Sequence, residues 1–172
     1  MKKKAVISIV GWHNSGKTTF ITQLLSALKR RGLRVATIKH ARSDFEIDRP
    51  GTDTWRYAQA GSDLVIISGQ GKRAMIQYLE GDPSLEETLA LVPDAIDVVL
   101  VEGYKRASVP KIEILSEKDT APRISTPEDL VALISSSRRD DEEIPTFAFT
   151  DLKGVIALLE ERGFLPKSHT AQ

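Results

Sequence analysis

Short apolar runs alternate with amphipathic segments along most of the chain. Short runs rich in valine, isoleucine and leucine are typical of buried strands, and apolar side chains at three- and four-residue spacing are typical of helices. This pattern predicts strands over residues 5–10, 34–39, 64–68, 73–78, 97–102, 111–115, 130–134 and 145–149. It predicts helices over 19–31, 54–60 and 84–91, and a last helix from Leu152 to a stop near Gly163. Such alternation indicates an α/β fold with a mostly parallel sheet covered on both faces.

Residues 11–18, G-W-H-N-S-G-K-T, carry the most specific motif in the chain. They fit G-x-x-x-x-G-K-[ST], the phosphate-binding P-loop, and they lie between a predicted strand and a predicted helix, which is the context that this loop requires. Glycine lets the loop bend where a Cβ atom would clash, and successive N–H groups then surround phosphate oxygens. The motif therefore predicts a P-loop NTPase fold with three α/β/α layers and a nucleoside triphosphate site.

Residues of this loop have separate predicted roles. Lys17 is expected to reach the β- and γ-phosphates, and the Thr18 hydroxyl is expected to ligate Mg²⁺. Thr19 is a candidate contact of the α-phosphate. The predicted nucleotide contacts in this segment are Gly11, His13, Asn14, Ser15, Gly16, Lys17, Thr18 and Thr19. A plain glycine-rich turn would explain the glycines but gives no reason for Lys17 and Thr18 to follow Gly16.

An acidic residue at the end of a neighbouring strand completes a P-loop site, because it holds Mg²⁺ or a water on the metal. The run D-V-V-L-V-E over 97–102 offers an acid at each end. Ligands bind beyond the carboxyl ends of the strands in an open α/β sheet, so Glu102 is the predicted metal ligand and catalytic acid. Asp97 is interpreted as a residue of the strand start, unless the strand is shifted.

The segment from Lys39 to Thr54 follows the second strand and is expected at the same edge of the sheet as the P-loop. Its basic side chains Lys39, His40 and Arg42 are candidate anion contacts. Its acids Asp44, Asp48 and Asp53 are candidates for holding metal or water; among them, Asp44 is the predicted metal ligand and Asp48 the predicted catalytic residue. The alternative interpretation is a solvated loop.

Composition narrows the classes of function. The chain has 172 residues, which suits a single domain, predicted over 1–165 with a loose tail over 166–172. Lys+Arg and Asp+Glu are both 24, so no bulk attraction to nucleic acid or membrane is expected. The chain has no cysteine and no apolar stretch near the roughly 20 residues of a membrane span, and we predict a cytoplasmic protein.

Several motifs together resemble one family. These are the P-loop up to Thr19, T-I-K-H over 37–40, D-R-P-G-T-D-T over 48–54 after Phe45, Arg56 with Ala60-Gly61, and L-V-E-G-Y-K over 100–105. In order and spacing they cover about the first two thirds of the chain. The sequence is similar to the MobB family, the molybdopterin-guanine dinucleotide biosynthesis protein B. Members often carry further histidines after I-K-H, where this chain has Ala41 and Arg42, so no role of those histidines is carried over.

The resemblance implies a dimeric GTP-binding protein with weak Mg²⁺-dependent GTPase activity. Its partner would be the MobA-type molybdopterin guanylyltransferase, which joins GMP to molybdopterin, and molybdopterin itself is a further candidate ligand. Lys17, Glu102 and Asp48 would serve hydrolysis, and Lys39 and His40 would join the nucleotide contacts. Guanine specificity rests on the resemblance, because no clear N-K-x-D element is present and Asp151 is more simply a helix cap.

Two other classes of function stay open at this point. A small-molecule kinase would need an arginine-bearing lid, and Arg138-Arg139 is the candidate, although acids follow at once. A non-catalytic adapter would bind nucleotide without needing its hydrolysis. The other form of this second class, a metallochaperone GTPase, would need clusters of cysteine and histidine, and the chain has three histidines and no cysteine.

Overall fold

A computed structural model describes residues 4–41, 45–115, 122–136 and 143–167. The strands are β1 (Ala5–Gly11), β2 (Val35–Lys39), β3 (Leu64–Gly69), β4 (Lys72–Gln77), β5 (Val98–Glu102), β6 (Lys111–Ile114), β7 (Leu130–Ile134) and β8 (Thr146–Phe147). The helices are α1 (Lys17–Arg30), α2 (Asp53–Gln59), α3 (Leu85–Ala90) and α4 (Leu152–Glu161). These bounds all lie within about two residues of the sequence prediction, and β8 is shorter than predicted at both ends.

The chain divides into two compact units, which are described separately. The first comprises Met1–His40 and Leu89–Gln172, and the second comprises Ala41–Thr88. The single domain predicted over residues 1–165 stays a prediction.

A six-stranded sheet forms the centre of the first unit, in the order β2-β5-β1-β6-β7-β8. The five pairings described within it are all parallel, which confirms the predicted α/β class and the mostly parallel sheet. Because parallel strands end at a common edge, Gly11 of β1, Lys39 of β2 and Glu102 of β5 lie at the same edge.

Helices α1 and α4 contribute to the main core of this unit. The fully buried Phe20, Leu24 and Leu28 of α1 lie on one side of that helix and pack in one cluster with Ile7 and Leu100 of the sheet. Asp151 caps α4 through a hydrogen bond from the Gly154 amide at 2.9 Å, which confirms its predicted capping role.

The second unit contains α2 and an antiparallel hairpin of β3 and β4. The hairpin turns at Gln70-Gly71, where Gly71 has φ +81°. The register places Val65 opposite Ile76 on the face that packs towards α2, and Ile66 opposite Met75 on the other face. We call that other face, formed by Leu64, Ile66 and Met75, the open face, because these side chains are 43–53% exposed.

Residues 84–87 form the capping box predicted at the start of α3. The Ser84 hydroxyl accepts a bond from the Glu87 amide, and the Glu87 carboxylate accepts one from the Ser84 amide. The Ser84 hydroxyl also donates to the Glu87 carboxylate at 2.7 Å, and this bond, followed by the one from the Ser84 amide, lowers the pKa of Glu87. Within the part of the chain that the structure describes, no helix is long and apolar enough to cross a membrane.

Candidate nucleotide-binding site

A tight loop connects β1 to α1 and contains the P-loop motif. A Cβ atom on Gly11 would lie 2.5 Å from Ser15 Oγ and 2.8 Å from the Ile114 carbonyl oxygen, so only glycine fits there. Gly16 has φ +91°, and a Cβ atom on it would lie 3.0 Å from the ring of Phe149. Asn14 also adopts the left-handed conformation, with φ +59°. These backbone angles fold residues 12–16 into a compact loop in front of α1.

The start of α1 is suited to an anion. Within the described residues, no side chain caps this helix end and no acid lies in its first turn, so the positive end of the helix dipole faces the loop. Ser15 Oγ is buried and makes no hydrogen bond within the described chain. Lys17 Nζ donates to the Trp12 carbonyl oxygen at 2.6 Å, which holds the ammonium against the loop. The buried Ser15 hydroxyl and the compact loop between Gly11 and Gly16 are suited to hydrogen bonds with phosphate oxygens.

Glu102 is the last residue of β5, which lies between β2 and β1 in the sheet. Its register partners are Ile9 of β1 and Lys39 of β2, and Lys39 Nζ lies 3.8 Å from Glu102 Oε1. Asp97 lies before the start of β5, at the opposite edge, and its carboxylate accepts a bond from the Arg34 amide at 2.9 Å. The structure therefore supports Glu102, and not Asp97, as the acid beside the P-loop.

The backbone after Glu102 is strained and closely packed. Gly103 has φ +105°, and a Cβ atom there would lie 2.8 Å from the Cβ of His40. Tyr104 has φ +47°, and its ring stacks on the His40 ring with centroids 4.3 Å apart. The buried Ser8 of β1 donates its hydroxyl proton to the Gly103 carbonyl at 3.1 Å. Backbone strain of this kind concentrates at functional sites. Here the packing around Gly103 and Tyr104 holds the strained turn that follows Glu102.

The glycine after Glu102 predicts a close approach at Gly103, which the His40 contact confirms, but sequence reasoning did not identify the partners in this packing. Ser8 and Gly103 lie 95 positions apart in the sequence, and no spacing rule connects them. The one available signal is the glycine directly after Glu102, which indicates close approach of another backbone.

Trp12 links the P-loop to two flanking loops. Lys105 Nζ lies 5.0 Å from the centroid of the Trp12 ring, within range of a cation–π contact. The indole N–H donates to the Pro122 carbonyl oxygen at 3.2 Å. Glu113, buried in β6, accepts bonds from the amides of Ile124 and Ser125 and so fixes the segment after Pro122.

The predicted acids of the 39–54 segment belong to the second unit. Asp48 Oδ1 accepts bonds from the Arg49 amide at 2.8 Å and from Thr52 Oγ1 at 2.9 Å. A hydrogen bond from Thr54, followed by those from Thr52 and Arg49, lowers the pKa of Asp48 despite its partial desolvation. Asp48 therefore organises the turn before α2, and its catalytic role stays a prediction. Asp44 and Arg42 lie outside the described residues.

A parallel sheet whose first strand leads through this loop into α1 defines a P-loop-type α/β fold. The family model for MobB, described as molybdopterin guanine dinucleotide synthesis protein B, matches residues 6–136. The chain therefore belongs to the MobB family.

Known proteins agree with this assignment. The Haemophilus influenzae molybdopterin-guanine dinucleotide biosynthesis adapter protein is 32% identical over 132 residues, which are 76% of this chain and 74% of that protein. A Methanocaldococcus jannaschii relative is 36% identical over 119 residues, 66% of this chain but only 48% of the relative, so the match spans about half of its length. The structure of Bacillus subtilis MobB superposes with a TM-score of 0.69 at 28% identity and covers 94% of this chain and 97% of that one.

Proposed function

We propose that this protein is a GTP-binding adapter with weak GTPase activity in the formation of molybdopterin guanine dinucleotide. The observation that carries the proposal is the P-loop cradle beside Glu102, with its orphaned Ser15 hydroxyl, in a chain of the MobB family. The name of the H. influenzae relative supports the adapter role. A MobA-type guanylyltransferase is the proposed partner, and the cytoplasm is the proposed location.

Residues of the first unit have separate proposed roles in binding GTP and Mg²⁺. Residues Gly11 to Thr19 would receive the phosphates, with Lys17 neutralising their charge. Thr18 and Glu102 would hold Mg²⁺, which spreads the negative charge that develops on the phosphate oxygens. Lys39 and His40 would add contacts at the same edge. Glu102, already placed by the Gly103 turn, would also orient water, and hydrolysis would be slow without an arginine supplied in trans.

The open face of the hairpin supports the dimer that belongs to this proposal. A two-stranded hairpin is marginal in water on its own, and an exposed apolar face of this kind marks a protein interface. Leu64, Ile66 and Met75 present such a face in the single chain. We propose that a second copy of the chain packs against this open face.

Nucleotide binding tests the first part of the proposal. Calorimetry with Mg²⁺ would compare GTP and ATP on the unaltered chain, on Lys17→Ala and on Lys29→Ala, which removes an exposed lysine from the last turn of the same helix. We expect GTP to bind the unaltered and Lys29→Ala chains, and Lys17→Ala to lose the binding. Preference for ATP would contradict the guanine assignment and favour the kinase.

Hydrolysis separates the weak GTPase from a non-catalytic adapter. Glu102→Gln keeps the size of the side chain but removes its charge, so it should slow GTP hydrolysis in the presence of the guanylyltransferase while the protein still binds that partner. An equal stimulation of dinucleotide formation by the native and Glu102→Gln proteins would show that hydrolysis is not needed.

A further inference from the structure

The second unit has a pocket of about 260 Å³ beside α2 on the hairpin face opposite the open face. Three aromatic side chains line it: Phe45, Trp55 of α2, and Tyr78 just after β4. Phe45 and Tyr78 are 69% and 51% exposed, although both are large and apolar enough to be buried in a finished core. Aromatic faces left open around a pocket are suited to stacking on a flat ring.

The charge of the pocket restricts what it can take. The described residues that line it include the carboxylates of Glu46 and Asp48 and the amide of Gln59, and no lysine or arginine. A phosphate group would be repelled by two carboxylates. A ring with N–H groups on its edge would be attracted, because hydrogen bonds to an ionised acceptor are among the strongest in proteins.

Asp48 and Glu46 have different capacities to accept such bonds. A carboxylate has about four acceptor positions. Asp48 already receives bonds from the Arg49 amide, from Thr52 and from Thr54, all within its own turn. Three acceptor positions of Asp48 are therefore occupied, so Glu46 is the acid that we expect to accept hydrogen bonds from a ligand. Asp48 forms part of the pocket wall.

We propose that this pocket binds a 2-amino-4-oxopyrimidine ring, the part that pterin and guanine have in common, stacked on Trp55 with its N–H edge on Glu46. The ring N–H and the adjacent amino group form a pair of parallel donors that matches the two oxygens of one carboxylate. The volume lies just below the range of about 300–1,000 Å³ for whole drug-sized ligands, so the pocket takes a bicyclic ring and leaves any phosphate outside. The choice of ring rests on the proposed function, since both rings occur in molybdopterin guanine dinucleotide.

Calorimetry with phosphate-free probes tests the pocket. The probes are pterin, guanosine and lumazine, which has the pterin skeleton with an oxo group in place of the 2-amino group. They are titrated into the full chain carrying Lys17→Ala, so that the P-loop contributes nothing. The pocket variants are Glu46→Gln and Trp55→Leu, and the controls are Glu80→Gln, an exposed acid of the same unit, and Tyr57→Leu, an exposed aromatic of the same helix that does not line the pocket.

We expect pterin or guanosine to bind, and lumazine to bind at least about tenfold more weakly. Glu46→Gln should weaken binding by about tenfold or more, as for loss of a charged acceptor, and Trp55→Leu by a similar factor through lost stacking. Binding of pterin alone identifies the cofactor as the source of the ring, and binding of guanosine alone identifies the nucleotide. Equal binding of lumazine, an unchanged affinity in Glu46→Gln, or no binding of any probe would overturn the proposal.

The pocket and the P-loop can fail independently. A chain that has Lys17 and carries Glu46→Gln has only the P-loop left to bind GTP, so we expect it still to bind GTP with Mg²⁺ and to lose this binding when Lys17→Ala is added. Loss of ring binding with GTP binding intact would therefore leave the proposed function standing.

Discussion

Gly103→Ala tests whether the backbone after Glu102 shapes the edge of the sheet where we propose that Mg²⁺ binds. An alanine at positive φ costs roughly 1–2 kcal/mol, because its Cβ approaches the following carbonyl oxygen. At Gly103 the new Cβ would also lie 2.8 Å from the Cβ of His40 and 3.2 Å from the His40 carbonyl oxygen. Overpacking of this kind adds about 1–3 kcal/mol, so the total loss should be about 2–5 kcal/mol.

Gly61→Ala is the matched control for this change. Gly61 has φ +98°, close to the +105° of Gly103, but nothing lies within 4 Å of its ideal Cβ position. It should therefore carry the backbone strain without the clash. The difference between the two variants, about 1–3 kcal/mol, isolates the contact with His40.

Urea unfolding and thermal melting measure the two variants side by side. At about 3 °C per kcal/mol for a chain of this size, Gly103→Ala should melt about 3–9 °C below Gly61→Ala. The displaced turn should also weaken binding of GTP with Mg²⁺, whereas Gly61→Ala should bind normally. Equal melting temperatures and equal nucleotide affinity would refute the reasoning, because they would show that His40 and Gly103 do not need their close approach.

Three further predictions concern stability and assembly. Asp129→Asn should destabilise the protein by about 3 kcal/mol in a urea titration, because it leaves the buried Lys111 ammonium without the carboxylate that now lies 2.6 Å away. The hydrogen bond and charge of Lys111 hold the pKa of Asp129 below its ordinary value of 3.8. This stabilisation is therefore complete above about pH 4 and is lost as the pH falls through the lowered pKa. Asp129→Asn should remove this fall in the free energy of unfolding at acid pH, and an unchanged fall would contradict the assignment. Asp151→Ala should cost about 1 kcal/mol, measured by the same titration, through loss of the α4 cap, and a neutral result would show that the cap is replaced. Ile66→Glu on the open face should weaken self-association at least about a hundredfold in sedimentation experiments, since it would bury an unpaired charge in the proposed interface; an unaffected dimer would place the interface elsewhere.

Local patterns in the sequence predicted the strands, the helices and the acid beside the P-loop well. The run ending at Glu102 was recognisable because a buried strand is short, apolar and bounded by polar residues. The predicted start of α1 lies two residues after the observed one, since Lys17 and Thr18 carry no apolar side chain for a periodicity to detect.

Features that depend on distant partners could not be predicted in this way. The sequence correctly predicts a strand around Ile66, but an apolar strand has the same pattern whether its own chain covers it or it stays open to another chain. The pattern likewise gave no sign that β3 and β4 pair only with each other among the described strands. The stack of His40 on Tyr104 joins two strand ends through tertiary packing, which no local rule encodes.

The division into two compact units gives each unit its own spectroscopic probe. The chain has two tryptophans, and Trp12 belongs to the first unit while Trp55 belongs to the second. A nucleotide on the P-loop stabilises whatever unfolds together with that loop, by mass action. Replacing either tryptophan with phenylalanine leaves the other as the sole indole emitter. The midpoint of unfolding reported by Trp55 fluorescence then measures how far stabilisation by nucleotide extends beyond the unit proposed to bind it.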